Sequence, residues 1–403
     1  MKNKNNKWCH ERHLRTKKFL YFLLKGITKR KYGYTWTDFK GKENQNYLIL
    51  FNHVCDFDQF FVGYPFKNHA IYYVASEDIF SMPFFSKMLK HLVAPIPFKK
   101  STNDTRAVMN CMKVAKEGGF IAMAPEGNRT YSGTLETVKI SISKFVKALK
   151  LPVAFFNISG AYGVKPRWAD KVRKGKCHGE VKSILEYAEY KDMSNEELYA
   201  EITKRLYQDD TKIEGTYQSK HKAEYLERAI YVCPHCGLSE FKTKGDNISC
   251  LKCGLEVKYT EKLNFEKVKG DFNFKNVKEW YDYQNNYINN LDLNLYNDKV
   301  IYQNVVKVFK VILYKKKEKI SSKCMLELYN DKYVFTDKSK VREIKFDDIS
   351  VASVLGRNKF NFYYGEDVYQ IKADKSFNAL KYVNIYYHYK NIKENNHEQF
   401  LGL

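Results

Sequence analysis

Proline is scarce in this sequence, with 8 residues in 403, and glycine is modest at 20. That excludes a collagen-like chain and long low-complexity linkers. No apolar run is long enough to span a bilayer, which takes about 20 residues. The longest early run, Phe19-Leu20-Tyr21-Phe22-Leu23-Leu24, stops at six. The N-terminus is basic but lacks an apolar region followed by a small-residue cleavage site, so neither a secretory signal nor a transmembrane helix is expected. Acid is also in short supply. Lys and Arg total 69 against 46 Asp and Glu, a net charge of +23. Such a chain should meet anionic partners: nucleic acid, an anionic membrane face or phosphorylated substrates.

What is present looks globular. Hydrophobic residues make up 44% and charged residues 29%, which excludes whole-chain disorder. At roughly 150 residues per domain, the length suggests two to three domains. Nine cysteines are an odd number for a disulfide framework. Four of them fall in pairs, Cys233-Pro234-His235-Cys236 and Cys250-Leu251-Lys252-Cys253, while Cys9, Cys55, Cys111, Cys177 and Cys324 are scattered. This fits a reducing compartment and one metal site. Each pair is followed by glycine (Gly237, Gly254), as in a zinc knuckle, and four thiolates suit tetrahedral structural zinc, with iron as the alternative. His235 is not needed as a ligand.

Residues 1–34 carry eleven Lys and Arg against one acid, Glu11. Leu14, Phe19, Phe22, Leu23 and Ile27 can share one helical face, so this segment reads as an interfacial helix or as a surface helix covering the core. Between 35 and 208, apolar strand-like runs (47–51, 70–75, 120–124, 151–158) alternate with helical patterns (104–116, 137–149). That is the signature of an α/β domain with a largely parallel sheet flanked by helices. Helix is expected over 196–230 and again over 275–292. From 305 to 372 seven short strands are expected, with turns at Asn330-Asp331 and Gly365-Glu366. A final helix, capped by Ser376, should present Phe377, Leu380, Val383 and Tyr387. Seven strands and a helix resemble a pleckstrin-homology-like (PH-like) barrel; an unrelated β-sandwich has the same strand pattern.

Two motifs follow strand-like runs directly. Asn52-His53-Val54-Cys55-Asp56-Phe57-Asp58 places a carboxylate five positions after an imidazole, within reach across one turn. Such a pair is a general base awaiting a substrate hydroxyl. Ala124-Pro125-Glu126-Gly127-Asn128-Arg129 supplies a turn glycine and a guanidinium fork suited to phosphate.

Together, in this order, the motifs resemble those of the glycerolipid acyltransferases, the family containing the 1-acyl-glycerol-3-phosphate acyltransferases. The resemblance covers roughly residues 35–208. Ile96-Pro97-Phe98-Lys99-Lys100 stands where the family has an Ile-Pro-x-x-Arg-like element, with Lys100 in place of Arg. Leu151–Phe156 matches a downstream apolar element, and Cys55 sits where Ser is common. The resemblance implies transfer of a fatty acyl group from acyl-CoA or acyl-ACP to the hydroxyl of a lysophospholipid. His53 would act as base and Asp58 would orient it. Lys100, Glu126, Gly127 and Arg129 would position the acceptor phosphate. No acyl-enzyme and no catalytic cofactor beyond the thioester donor are implied, so Cys55 is not a nucleophile.

The expected organisation is a basic membrane-facing segment (1–34), an acyltransferase domain (35–230), a zinc ribbon (231–260), a helical linker (261–300), a PH-like β domain (301–392) and a polar tail (393–403). The expected partners are a lysophospholipid, an acyl-thioester donor including acyl carrier protein, and an anionic membrane surface. The expected location is cytoplasmic, peripheral to the cytosolic membrane face. A basic zinc-ribbon protein binding nucleic acid is the competing reading. It accounts for the charge and the cysteines but not for the two ordered motifs.

Overall fold

The computed structural model describes residues 7–42, 44–76, 83–98, 104–312 and 316–395. They form two compact units. One comprises residues up to 165 together with 174–215; the other comprises 166–173, 216–312 and 316 onward. The units are therefore not contiguous stretches of chain. The first ends at 215, before the expected 230, and it yields 166–173 to the second.

The first unit follows the order α1 (Glu11–Lys31), β1 (Tyr34–Trp36), β2 (Leu48–Phe51), α2 (Asp58–Gly63), β3 (Ile71–Ser76), α3 (Pro83–Leu92), β4 (Ile96–Phe98), α4 (Thr105–Lys116), β5 (Phe120–Met123), α5 (Ser141–Leu149), β6 (Val153–Ser159), α6 (Ala161–Val164), β7 (Cys177–Leu185), α7 (Tyr187–Tyr190) and α8 (Asn195–Leu206). Its seven strands lie in the order β1-β7-β6-β2-β5-β3-β4. β2 to β6 are mutually parallel, as expected. β7 runs antiparallel to β6, and β1 pairs parallel with β7, giving one edge of opposite direction. Neither β1 nor β7 was expected from the sequence. All four residues of β2 are buried, as the continuous run Leu48-Ile49-Leu50-Phe51 requires for a central strand. Leu50, Phe155 and Ile121 from the sheet meet Val114, Val146 and Ile202 from α4, α5 and α8 in one core. Burial of each such side chain is worth about 1.5–3 kcal/mol.

The first helix is turned inside out. Its buried residues are His13, Lys17 and Thr28. The Lys17 ammonium donates to the carbonyls of Phe66 (2.5 Å) and His69 (2.9 Å). Phe19, Phe22, Leu23 and Ile27 face outward, with Phe22 75% exposed. No helix among the described residues is long and apolar enough to cross a membrane.

Helix over 196–230 is realised only to Leu206; beyond it lie 3-10 turns at Asp210–Lys212 and Leu226–Arg228. Tyr225, expected within that helix, has φ +63°, a left-handed conformation that stops helical continuation.

In the second unit, β8 (Val232–Cys233) and β9 (Gly237–Leu238) make a short hairpin. β10 (Phe241–Lys244), β11 (Asn247–Cys250), β12 (Glu256–Tyr259) and β13 (Phe265–Lys269) form an antiparallel meander. The helix α9 (Val277–Asn289) packs its Trp280 against Phe241, Phe265 and Phe272. The indole N–H of Trp280 donates to the Val232 carbonyl at 2.9 Å. Seven strands follow: β14 (Tyr302–Val311), β15 (Glu318–Leu328), β16 (Lys332–Asp337), β17 (Lys340–Lys345), β18 (Ile349–Leu355), β19 (Lys359–Tyr364) and β20 (Asp367–Lys372), then the helix α10 (Leu380–Lys393). All seven expected strands are present, in the order β17-β16-β15-β14-β20-β19-β18, so the first and last strands of the meander pair. Ser376 does not cap the helix. Its hydroxyl donates to Asp374, and Asn378 accepts from the Lys381 N–H instead.

The last helix is buried on opposite sides. Tyr382 accepts from the Tyr333 hydroxyl at its backbone carbonyl (2.9 Å) and stacks on Phe360. Asn384 donates to the Tyr231 hydroxyl at 2.7 Å, His388 to the Leu291 carbonyl at 2.7 Å, and Lys381 pairs with Glu240. It thereby joins the curled β-sheet to the cysteine-bearing module.

The segment 166–173 is held by buried arginines. Arg167 donates to the carbonyls of Gly356 (3.0 Å) and Val354 (3.2 Å). Arg173 lies over the rings of Trp168 and Tyr259. Arg228 reaches the Trp168 carbonyl, Asp170 and the Lys375 carbonyl.

Candidate active site

The sheet brings the two motifs together. β2 and β5 are adjacent and parallel, with Leu50 opposite Met123. Their carboxyl ends therefore lie side by side, and the segments beginning at Asn52 and Ala124 leave from the same end. Open α/β sheets form their sites at such an end.

Asn52 anchors the first motif. Its amide donates to the Ile158 carbonyl at 2.9 Å and accepts from the Ile158 N–H at 2.7 Å, fixing the segment to β6. The next residue, His53, places Nδ1 2.8 Å from Asp58 Oδ2. Asp58 is fully buried and opens α2. Its oxygens also accept from the N–H groups of Val54 (2.6 Å) and Cys55 (3.0 Å). These donors leave the carboxyl group one orientation toward the imidazole. With Nδ1–H donating to Asp58, Nε2 holds the lone pair of the neutral ring. The His53 side chain retains 27% of its exposure, so the ring is reachable. Cys55 lies beside it but is buried, and burial pushes its thiol well above the ordinary value. That suits an inert cysteine rather than a nucleophile.

The second motif wraps the His53 backbone. Glu126 is 2% exposed. One carboxyl oxygen accepts from the His53 N–H at 2.6 Å, the other from the Glu136 N–H at 2.8 Å. Thr130 N–H donates to the His53 carbonyl at 2.9 Å. Burial raises the Glu126 carboxyl well above its usual range, against the pull of the two N–H donors. Gly127 is exposed with φ +67°, the left-handed conformation that favours glycine. Arg129 is half-buried, one residue before the Thr130 contact. Lys100 lies outside the described residues.

His53, Asp58, Glu126, Gly127 and Arg129 are thus gathered at one end of the sheet. Glu126 sits differently from the phosphate ligand expected of it, since both its oxygens face backbone donors. Asn52 and Thr130 were not singled out by sequence reasoning. Asn52 had a signal, a polar residue ending a fully apolar strand, whereas Thr130 acts through its peptide N–H and leaves none.

A second cluster lies in the other unit. The sulfurs of Cys233, Cys236, Cys250 and Cys253 all fall within 4.8 Å of one another. The Cys233 and Cys253 sulfurs are 3.6 Å apart. Four thiolates about 2.3 Å from a shared tetrahedral ion would stand roughly this far apart, so the donor set fits a metal. His235 is turned away, its Nε2 2.7 Å from the Asp271 carbonyl.

Residues 33–159 match the family model described as Acyltransferase. No curated protein matches the chain. Among solved structures, the 1-acyl-sn-glycerophosphate (LPA) acyltransferase PlsC from Thermotoga maritima is similar at 16% identity. The match covers 48% of this chain and 94% of that one, with a TM-score of 0.35.

Proposed function

We propose that this chain, which carries an acyltransferase-family domain over residues 33–159, moves a fatty acyl group from an acyl-thioester to the free hydroxyl of 1-acyl-glycerol-3-phosphate, making phosphatidic acid. Acyl-CoA or acyl carrier protein supplies the thioester. Another lysophospholipid or glycerol 3-phosphate is the alternative acceptor. The observation that carries this reading is the His53–Asp58 pair at 2.8 Å, at a strand end with the Glu126–Arg129 turn alongside.

The acceptor O–H gives its proton to His53 Nε2 as its oxygen bonds to the thioester carbonyl carbon. Asp58 stabilises the resulting imidazolium. Collapse of the tetrahedral adduct breaks the C–S bond, and the leaving thiolate recovers the proton from His53. The products are an ester and a thiol, with no bond to the enzyme. Arg129, with Lys100, holds the acceptor phosphate, and such positioning supplies much of the rate.

The remaining parts fit an enzyme working on lipid. The outward Phe19, Phe22, Leu23 and Ile27 of α1, among Arg15, Lys18, Lys29 and Arg30, enter an anionic bilayer surface. The four cysteines hold one structural zinc. The C-terminal meander, with its first and last strands paired and a helix packed against it, is PH-like.

The test is direct. Purified full-length protein receives an acyl-CoA and, in turn, lysophosphatidate, other lysophospholipids and glycerol 3-phosphate. Ester formation is expected with lysophosphatidate, falling about 10²–10⁴-fold in His53→Ala. A folded wild type that acylates none of them would end the proposal.

A further inference from the structure

The turn following β5 contains two ionisable residues, three positions apart, with different surroundings. Arg129 is half-buried. Glu126 is 2% exposed and has both oxygens on backbone N–H groups, of His53 at 2.6 Å and of Glu136 at 2.8 Å. A carboxyl group held this way has no donor to offer a phosphate. The contact it does make is to the peptide of the residue bearing the imidazole. On the other side of that residue, Thr130 N–H binds the His53 carbonyl at 2.9 Å. The Glu136 side chain returns to accept from the Tyr131 N–H at 2.9 Å, closing the loop 126–136 on itself.

We propose that Glu126 is a positioning residue: it fixes the His53 peptide against the 126–136 loop, acts on the reaction through His53, and does not bind the acceptor phosphate. The inference rests on the acyl-transfer reading above and assigns its residues different tasks. His53 could keep its hydrogen bond to Asp58 and still fail, because the ring is carried on a Cα whose preceding peptide is held by Glu126 and whose following peptide is held by Thr130. A displacement of about 1 Å at a reacting group costs on the order of 100-fold in rate.

The experiment compares Glu126→Gln with Arg129→Ala in the full chain, each variant checked for a wild-type melting profile. Glutamine keeps the shape and one acceptor oxygen but turns an NH2 toward an N–H donor. Glu126→Gln should lower kcat roughly 10- to 100-fold with the KM for lysophosphatidate within about twofold of wild type. Arg129→Ala should raise that KM instead. Inorganic phosphate should inhibit Glu126→Gln and wild type with the same constant. In parallel, the His53 imidazole is titrated by NMR, which needs no turnover; its midpoint should move in Glu126→Gln by about half a unit or more. Glu126→Asp, which keeps the carboxyl group but falls short of both N–H groups, should lose kcat in the same sense and serves if the amide variant does not fold. A raised KM and weakened phosphate inhibition with kcat retained would overturn the inference while leaving acyl transfer standing. An inactive wild type would count against acyl transfer, and an unmoved His53 titration would then count against the positioning role separately.

Discussion

At the scale of single residues, the carboxyl groups of Asp58, Glu126 and Asp210 are all buried in the first unit, and their surroundings give them different work. Asp58 has three N–H donors from the turn and the imidazole around it. Glu126 has two, both backbone. Asp210, 1% exposed, accepts from the Tyr162 N–H at 2.9 Å and the Gln208 amide at 3.3 Å. Burial outweighs these donors, and with Asp209 beside it the Asp210 carboxyl rises to about 7. Between its unfolded value of 3.8 and about 7, the folded protein keeps a proton that the unfolded chain has released. Stability from this group is therefore complete below pH 4, lost as pH climbs toward 7, and flat beyond. Asp210→Asn should flatten that decline, by on the order of 1–3 kcal/mol between pH 4 and 8. Thermal melts of wild type and variant across this range read it out; parallel pH profiles would contradict the assignment.

At the scale of elements, α1 presents an unusual division, with polar groups inward and aromatic groups outward. The buried lysine and histidine are held by carbonyl and hydroxyl partners, so the helix docks through hydrogen bonds and leaves Phe19, Phe22, Leu23 and Ile27 exposed. Phe22→Asp should leave the melting temperature unchanged and weaken sedimentation with phosphatidylglycerol vesicles about tenfold or more; the wild type should release them as salt rises. Equal vesicle binding by both would exclude this face as the contact. The sequence showed the composition of this face but not its direction, because outward phenylalanines and inward lysine reverse the usual pattern. The same reason governs the rest of the fold. β2 is legible because its four residues are all apolar and all buried, as a central strand demands. β7 is not, since Cys177-His178-Gly179-Glu180 mixes polar and apolar residues without a clean alternation. The His53–Asp58 pair is legible because five residues and one turn connect its members. The Glu126 contact to the His53 N–H spans 73 positions and depends on β2 lying beside β5, which no local spacing encodes.

At the scale of the whole molecule, the cysteine cluster, α9, α10 and the curled sheet belong to one unit. Zinc there should act as a fold ligand: purified protein should contain one equivalent, and Cys250→Ser should lose it. Structural zinc contributes roughly 10 kcal/mol or more in isolated knuckles, so the second unit should melt first in that variant. Unchanged zinc content in Cys250→Ser would refute the site. The segment 166–173 adds a constraint of time. It leaves the ribosome long before its acceptors at Val354 and Gly356 have been synthesised. At 5–20 residues per second that interval is on the order of tens of seconds. Throughout it, Trp168 and the arginines that end fully buried must remain in water or in the care of a chaperone.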